Sequence, residues 1–581
     1  MDLRKGLNIF LSWLAGISFT LAIGSLILEY GFDLQTISAA FHQVQLISAL
    51  CLAIVFLLRL IIARSRLAFA RANRGYLVLI VLFLIIIYLI RWSQLSIFPG
   101  EFKRFPGHTS ESIAVQIYLG LYVLFSFSQI NRLITTIRGT ILRPILLIPL
   151  TFIFIILIGT ILLLLPKAIH QGEKISFIDA LFTATSATCV TGLIVKDTGL
   201  YFSRMGQLII LILLQIGGLG IMTFTTFFGF MLGRRLGVRE QAFLGEALSL
   251  KGLARIGQLV LGILAFTFVV EIIGAGLLWY QFLPYFGPNL HNFYLSVFHA
   301  VSAFCNAGFS LFSDSFQGFL DHAGINFIMT TLIILGGLGF LVIFDILGWA
   351  RSHFRKERKS LSLHSKMVLS ITLALIIIGS LFIFAREYSH ALGQFSIKEK
   401  LLASYFQSVT ARTAGFSTLS IADFAPFTVL LLMLFMFIGA SPGSTGGGIK
   451  NSTFGIVVMS LKNWLLGRRS VGVFQRTIPH IVVRQAFCVF FLALSWILFS
   501  FLILVQTEEA PFLDILFEAM SAFGTVGLSR GITFGLTLIG KIVIIVTMFI
   551  GRLSPLIIAL YVAGRGIEEK YTYPEEKIVV G

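Results

Sequence analysis

Charged side chains are scarce in this chain: 12% of its 581 residues, against 57% hydrophobic. A water-soluble domain carries about a quarter charged residues, so a soluble globular fold is excluded. No window is polar enough to form a soluble domain beside the apolar runs, which also removes a nucleic-acid-binding face despite the net charge of +18. Cysteine is equally sparse. The four cysteines form no Cys-x-x-Cys pair, so neither a zinc site nor a redox dithiol is suggested, and no disulfide is expected. There is no Gly-x-x-x-x-Gly-Lys-Ser/Thr phosphate loop, so the chain is not itself an ATPase. Its ten histidines are scattered, without the clustered His, Asp or Ser of a lipid-acting enzyme. No catalytic residue is assigned.

What is present is apolar length. Many runs approach or exceed the ~20 residues a helix needs to cross a bilayer, so the sequence reads as an all-α, multi-pass membrane protein surrounded by lipid. Four spans come first, near 7–29, 44–62, 76–93 and 112–130. The first is too long for a signal-peptide core and lacks a cleavage site, so it is read as retained. Lys and Arg cluster in alternate loops, near 64–74, 132–143, 234–255, 351–366, 462–484 and 565–577. The loops at 30–43 and 281–325 have none. The positive-inside rule then puts twelve spans across the membrane with both termini in the cytoplasm.

From residue 144 onward a rhythm sets in: an apolar helix, a short weakly polar segment ending in glycine, and a second apolar helix. The first helices fall near 144–165, 257–280, 367–385 and 485–505, the second near 207–230, 326–347, 427–449 and 540–561. Self-similarity at a fixed period marks a repeat. Ala184-Thr185-Ser186-Ala187-Thr188-Cys189-Val190-Thr191-Gly192 resembles Ala300-Val301-Ser302-Ala303-Phe304-Cys305-Asn306-Ala307-Gly308 and Met520-Ser521-Ala522-Phe523-Gly524-Thr525-Val526-Gly527. Val409-Thr410-Ala411-Arg412-Thr413-Ala414-Gly415 fits with one residue fewer. Each second helix carries its own marker: Gly217-Gly218-Leu219-Gly220, Gly336-Gly337-Leu338-Gly339, Gly439-Ala440-Ser441-Pro442-Gly443 and Gly551-Arg552-Leu553-Ser554-Pro555. The expected organisation is extra transmembrane helices over 1–140, then units at 141–240, 241–360, 361–470 and 471–581.

A segment of ten to fifteen residues is too short to cross and must enter and leave by one face. Such backbone is tolerated at membrane depth only inside protein or beside a water-filled cavity, so four copies about one axis enclose a pore. Glycine permits dihedrals other residues resist, which lets nearby carbonyls turn inward. The candidate ligands are the carbonyls of Val190, Thr191, Asn306, Ala307, Thr413, Ala414, Thr525 and Val526. Rings of carbonyl oxygens replace the water shell of a monovalent cation. The segments hold almost no acids, whereas a calcium pathway would use an Asp or Glu ring. Potassium or sodium is the expected cargo, with no organic cofactor.

These residues resemble the potassium-translocating membrane subunits of the Ktr and Trk systems, over about 145–581. The resemblance implies four M1–P–M2 units of potassium-channel type in a bacterial cytoplasmic membrane. It implies potassium selection at Gly192, Gly308, Gly415 and Gly527, and relatives with serine at the first position admit sodium. It also implies a homodimer, with the tail 573–581 in the dimer interface, and a cytosolic regulatory partner with nucleotide-binding RCK (KTN) domains. The run Gly439-Ala440-Ser441-Pro442-Gly443-Ser444-Thr445-Gly446-Gly447-Gly448 looks like the family's intramembrane gate, and Arg552 matches an arginine that contacts it. The residues agree: Gly, Ser and Pro inside an apolar helix break it, and an intramembrane arginine needs carbonyl or acidic partners.

Other readings stay open. The broken run can be a kink without function, and Arg552 can snorkel to the interface. The Gly-Gly-Leu-Gly markers read best as close helix packing. The loops 351–366 and 462–484 either dock the regulatory partner or only set topology. Glu271, inside an apolar helix, is a functional candidate or a buried structural acid; a proton- or sodium-coupled transporter would need it. His299 and Glu518 are expected to brace the glycine segments from behind, and Arg412 to point away from the axis.

Overall fold

The computed structural model describes residues 144–220, 256–355, 360–468 and 470–553, with 38–62 and scattered residues among the first 81. The spans expected near 76–93 and 112–130 fall wholly or mostly outside the described residues. So do the loops at 132–143 and 234–255, the end of the first second helix, and the tail.

The described chain is mainly helical, with a single two-stranded sheet among the described residues. After α1 (Ser38–Ile62) come α2 (Pro144–Leu163), the short α3 (Phe177–Thr188) and α4 (Arg204–Leu219). The same order returns as α5 (Ile256–Phe286), α6 (Leu290–Phe304) and α7 (Ala323–Leu338), with α8 (Phe340–Phe354) following directly. Then come α9 (Leu363–Glu387), α10 (Ile397–Thr410), α11 (Pro426–Phe437) and α12 (Asn451–Leu465). A small antiparallel hairpin, β1 (Val471–Val473) and β2 (Arg476–Ile478), leads to α13 (His480–Thr507), α14 (Phe512–Gly524) and α15 (Leu538–Leu553). Four helices among the described residues are long and apolar enough to cross a membrane, and the bent pair α7–α8 makes a fifth if counted as one span.

Three of the four short helices start on side-chain caps that the sequence supplies. Ser176 accepts from Asp179 N–H, Asn289 from Asn292 N–H, and Ser396 forms a reciprocal capping box with Glu399. Each satisfies orphan amide groups of the first turn. Phe182, Phe298, Phe406 and Phe517 hold the same place in each short helix, and all are fully buried. The long helices are the reverse: Phe268, Ile272, Leu381 and Leu498 are half-exposed or more. An apolar outer face suits lipid, where hydrocarbon contact costs nothing and association rests on packing and hydrogen bonds.

Packing between units runs in one direction. α4 lies against α6, α7 against α10, α11 against α14, and α15 back against α3. The last contact closes the circle. Two ion pairs reinforce the rim: Lys541 Nζ meets Asp179 at 2.7 Å, and Arg530 Nε meets Asp514 at 2.5 Å while its Nη1 donates to Ile421 O at 3.0 Å.

Two second helices differ from the lengths their apolar runs suggest. The run 326–347 is not one helix: α7 ends at Leu338, Gly339 turns left-handed at φ 83°, and α8 leaves at 99°. The run 427–449 stops at Phe437, and the chain is irregular until Asn451. Glycine clusters that permit close packing also permit a break, and apolar content alone does not separate the two.

Candidate functional site

Each short helix hands the chain to a segment with the same pair of unusual dihedrals. Two residues apart, φ is 57° at Val190 and 91° at Gly192; 58° at Asn306 and 70° at Gly308. The series continues with 70° at Thr413, 79° at Gly415, 48° at Thr525 and 91° at Gly527. A left-handed residue other than glycine costs about 1–3 kcal/mol and persists only where its surroundings hold it.

The surroundings do hold it. Thr191 N–H donates to Ser186 O, Ala307 N–H to Ser302 O, Ala414 N–H to Thr410 O and Val526 N–H to Ser521 O, at 2.8, 2.8, 3.0 and 2.9 Å. The side chains of those same four acceptors act again. Ser186 and Ser521 accept from the N–H of Gly192 and Gly527, both at 3.1 Å. Ser302 donates to Phe309 O at 2.8 Å and Thr410 to Phe416 O at 2.6 Å. Sequence reasoning assigned these hydroxyls no role, although they align in the four compared strings.

A further layer stands behind. His299 Nδ1 contacts Leu295 O at 2.8 Å, leaving Nε2 to accept from Leu311 N–H at 3.2 Å, beside the Ser310 hydroxyl. The Gln407 amide meets the Ser417 hydroxyl at 2.7 Å. Glu518 accepts from Ser529 at 2.9 Å and from the Thr533 hydroxyl. His299 and Glu518 therefore brace the segments as expected, and Gln407 is their counterpart in the third. In the first, Thr183 turns back to Asp179 O instead.

The glycines meet one another in a closed ring. A Cβ on Gly192 would lie 2.5 Å from Ala307 O and 3.0 Å from Gly308 Cα. One on Gly308 would lie 2.9 Å from both Ala414 O and Gly415 Cα. One on Gly415 would abut Val526 O, with Gly527 Cα at 3.2 Å. One on Gly527 would abut Thr191 O, with Gly192 Cα at 2.9 Å. A side chain at any of the four would force the neighbouring backbone to shift.

Cys189, Cys305, Arg412 and Gly524 share the place three residues before each glycine. Arg412 is buried, and its Nη2 donates to Thr372 on α9 at 3.3 Å. Thr188 sits one residue earlier, fully buried.

The irregular run between α11 and α12 lies against this ring. A Cβ on Gly446 would abut Thr413 Oγ1, and Gly447 N–H donates to Thr525 Oγ1 at 3.1 Å. Ser441 N–H donates to Gly337 O at 3.1 Å, Thr445 N–H to Gly336 O at 3.2 Å, and Gly443 O accepts from Phe340 N–H at 3.1 Å. The Thr445 hydroxyl adds a bond to Phe304 O at 3.2 Å. Gly439 N–H pairs with Ile449 O at 2.8 Å across the base of the loop, beside an isolated Ile438–Ile449 bridge. Within the loop, Ser444 bonds back to Ser441 O. Ala440 O accepts from Asn451 N–H at 3.2 Å, and Gly448 is left-handed at φ 66°. Pro442 O lies where a Cβ on Gly339 would fall. Arg552 donates to Thr445 O and to Gly217 O, and Lys450 Nζ donates to Gly446 O at 2.7 Å. Helix breaks free carbonyls, and the two cations take them up. Lys450 was not foreseen.

Glu271, 5% exposed on α5, takes both carboxylate oxygens to Gln215 Nε2 of α4, at 3.0 and 3.1 Å.

The family model for TrkH, a cation transport protein, matches residues 129–565. The chain belongs to the TrkH family. It is 40% identical over 455 residues to the Ktr system potassium uptake protein B of Bacillus subtilis (strain 168), covering 78% of this chain and 99% of that one. It is also 40% identical to the potassium/sodium uptake protein NtpJ of Enterococcus hirae, covering 76% and 98%. The crystal structure of the potassium transporter TrkH from Vibrio parahaemolyticus covers 96% of this chain and 99% of its own, with a TM-score of 0.58 at 18% identity. That likeness establishes a shared TrkH fold.

Proposed function

We propose that this TrkH-family chain carries potassium across the cytoplasmic membrane of a bacterium, through one pore formed by four M1–P–M2 units. The observation that carries the reading is the ring of Gly192, Gly308, Gly415 and Gly527, each entered through a left-handed residue. Reversing the sign of φ at alternate positions turns successive carbonyls towards one side. Thr188, Cys189, Val190, Thr191, Cys305, Asn306, Ala307, Arg412, Thr413, Ala414, Gly524, Thr525 and Val526 then form the filter segments with the four glycines, the Arg412 side chain turned away towards Thr372. Such carbonyls replace the hydration shell of a monovalent cation. Short helices ending at the ring add the negative ends of their dipoles. Potassium here is cargo, driven inward by about 2.3 kcal/mol per charge for each 100 mV.

The run 439–448 is the gate in this reading. It sits against Thr413 and Thr525 of the ring and is tied down from two other units, the second through Gly336, Gly337 and Phe340 and the fourth through Thr525 and Arg552. The divisions at 141–240, 241–360, 361–470 and 471–581 follow the units, both termini are cytoplasmic, and the chain works as a homodimer with a nucleotide-binding RCK partner on its basic inner face.

The test is growth rescue of a potassium-uptake-deficient bacterium at low potassium, with sodium as competitor. Rescue that resists sodium is expected, and Gly192→Ser should make uptake sodium-sensitive. A well-expressed wild-type chain that fails to rescue overturns the proposal.

A further inference from the structure

Glu271 lies far from the ring in sequence, yet a chain of contacts joins them. Both its oxygens accept from Gln215 Nε2. With that nitrogen claimed, the Gln215 amide has one orientation, and its Oε1 faces the Cys305 thiol, which donates to it at 3.7 Å. Cys305 closes α6 and is fully buried. Its Sγ also packs on Gly218, one turn after Gln215, where a Cβ would lie only 2.5 Å away. The next residue, Asn306, is left-handed, and Gly308 of the ring follows two residues later. Three elements from two units, α5, α4 and the end of α6, are thus keyed together at one corner of the ring.

A carboxylate only accepts hydrogen bonds, whereas an amide both donates and accepts. Glu271 therefore fixes which way Gln215 points; glutamine in its place would allow both amides to turn over. Misorientation would put Gln215 Nε2 towards the Cys305 thiol, replace an acceptor with a donor, and shift the turn leading to Gly308. Filter geometry is set by such supports.

We infer that Glu271 is a positioning residue for ion selection, acting through Gln215 on Cys305 and the second corner of the ring. The inference rests on the proposed pore. Its test measures uptake of potassium and of sodium into liposomes carrying full-length wild type, Glu271→Gln, Gln215→Leu, Cys305→Ala and the Glu271→Gln/Cys305→Ala double variant. The potassium-over-sodium ratio should fall about three- to tenfold in each single variant, the range that one misplaced hydrogen bond accounts for. The double variant should lose no more than the worse single one. A purely structural role would lower the amount of folded protein and all fluxes together without moving the ratio. If Glu271→Gln does not accumulate, Gln215→Leu and Cys305→Ala decide. A wild-type preference that these variants keep unchanged overturns this inference alone, whereas a wild type without preference removes the pore reading and this inference together.

Discussion

Arg552 shows what a single buried charge asks of its surroundings. A guanidinium at membrane depth is costly unless carbonyls or acids surround it, and here the acceptors are Thr445 O in the broken third helix and Gly217 O at the end of α4. The sequence made the first partner legible, because a Gly-Ser-Pro run must release carbonyls. It did not reveal the second, which comes from another unit. We expect Arg552→Ala to raise potassium uptake several-fold at saturating potassium by untying the proposed gate, with Arg552→Lys intermediate; uptake assays in cells check it, and unaltered flux and regulation in both would remove the latch. The ring glycines were legible from their recurrence. Ser186, Ser302, Thr410 and Ser521 were overlooked because hydroxyls in buried helices ordinarily bond to their own preceding turn. Their alignment across four strings was the available signal. The Gln215–Glu271 pair had none, since nothing local in either helix names its partner.

At the scale of elements, apolar length located the first helices to within a few residues and located the second helices poorly. α2, α5, α9 and α13 are continuous, so a long apolar run describes them well. The second helices of the second and third units are interrupted at small residues, and whether such a cluster packs or breaks depends on what it meets. Gly217 and Gly218 pack on Thr188 and Cys305, the closer-packing reading. Gly339 instead breaks the helix, because the loop from the third unit fills the space beside it and bonds Phe340 N–H through Gly443 O. Gly339→Ala should cost about 1–3 kcal/mol of local strain and push Pro442 away. That variant and deletion of 442–446 should each leave uptake less responsive than wild type to the proposed regulatory partner. Flux recorded with and without that partner's nucleotide tests this, and an identical response in all three proteins counts against α7–α8 as the loop's anchor.

For the whole molecule, stability comes from closure. Apolar faces gain nothing from lipid, so the units are held by interdigitated helices and by polar links between them. Lys541–Asp179 joins the last unit to the first, with both side chains largely buried (16% and 12% exposed). Breaking it should destabilise by on the order of 2 kcal/mol, between an exposed pair and a fully buried one. We expect Lys541→Met and Asp179→Asn each to lower the melting temperature in detergent by several degrees, with the double variant close to the single ones. Full additivity would mean the two side chains act apart. That the units close up was readable from four matched segments. Which helix covers which was not, because nothing in one segment specifies its neighbour.

The four corners share a backbone but not an inventory. Among the described residues, only one second helix gives way to a long loop, and only one presents an arginine to it. Four identical subunits would bring four loops and four guanidiniums to a single axis, where steric crowding and mutual repulsion leave room for one. Joining the units in one polypeptide lets each drift separately, so that a near-fourfold ring carries a single, asymmetric loop.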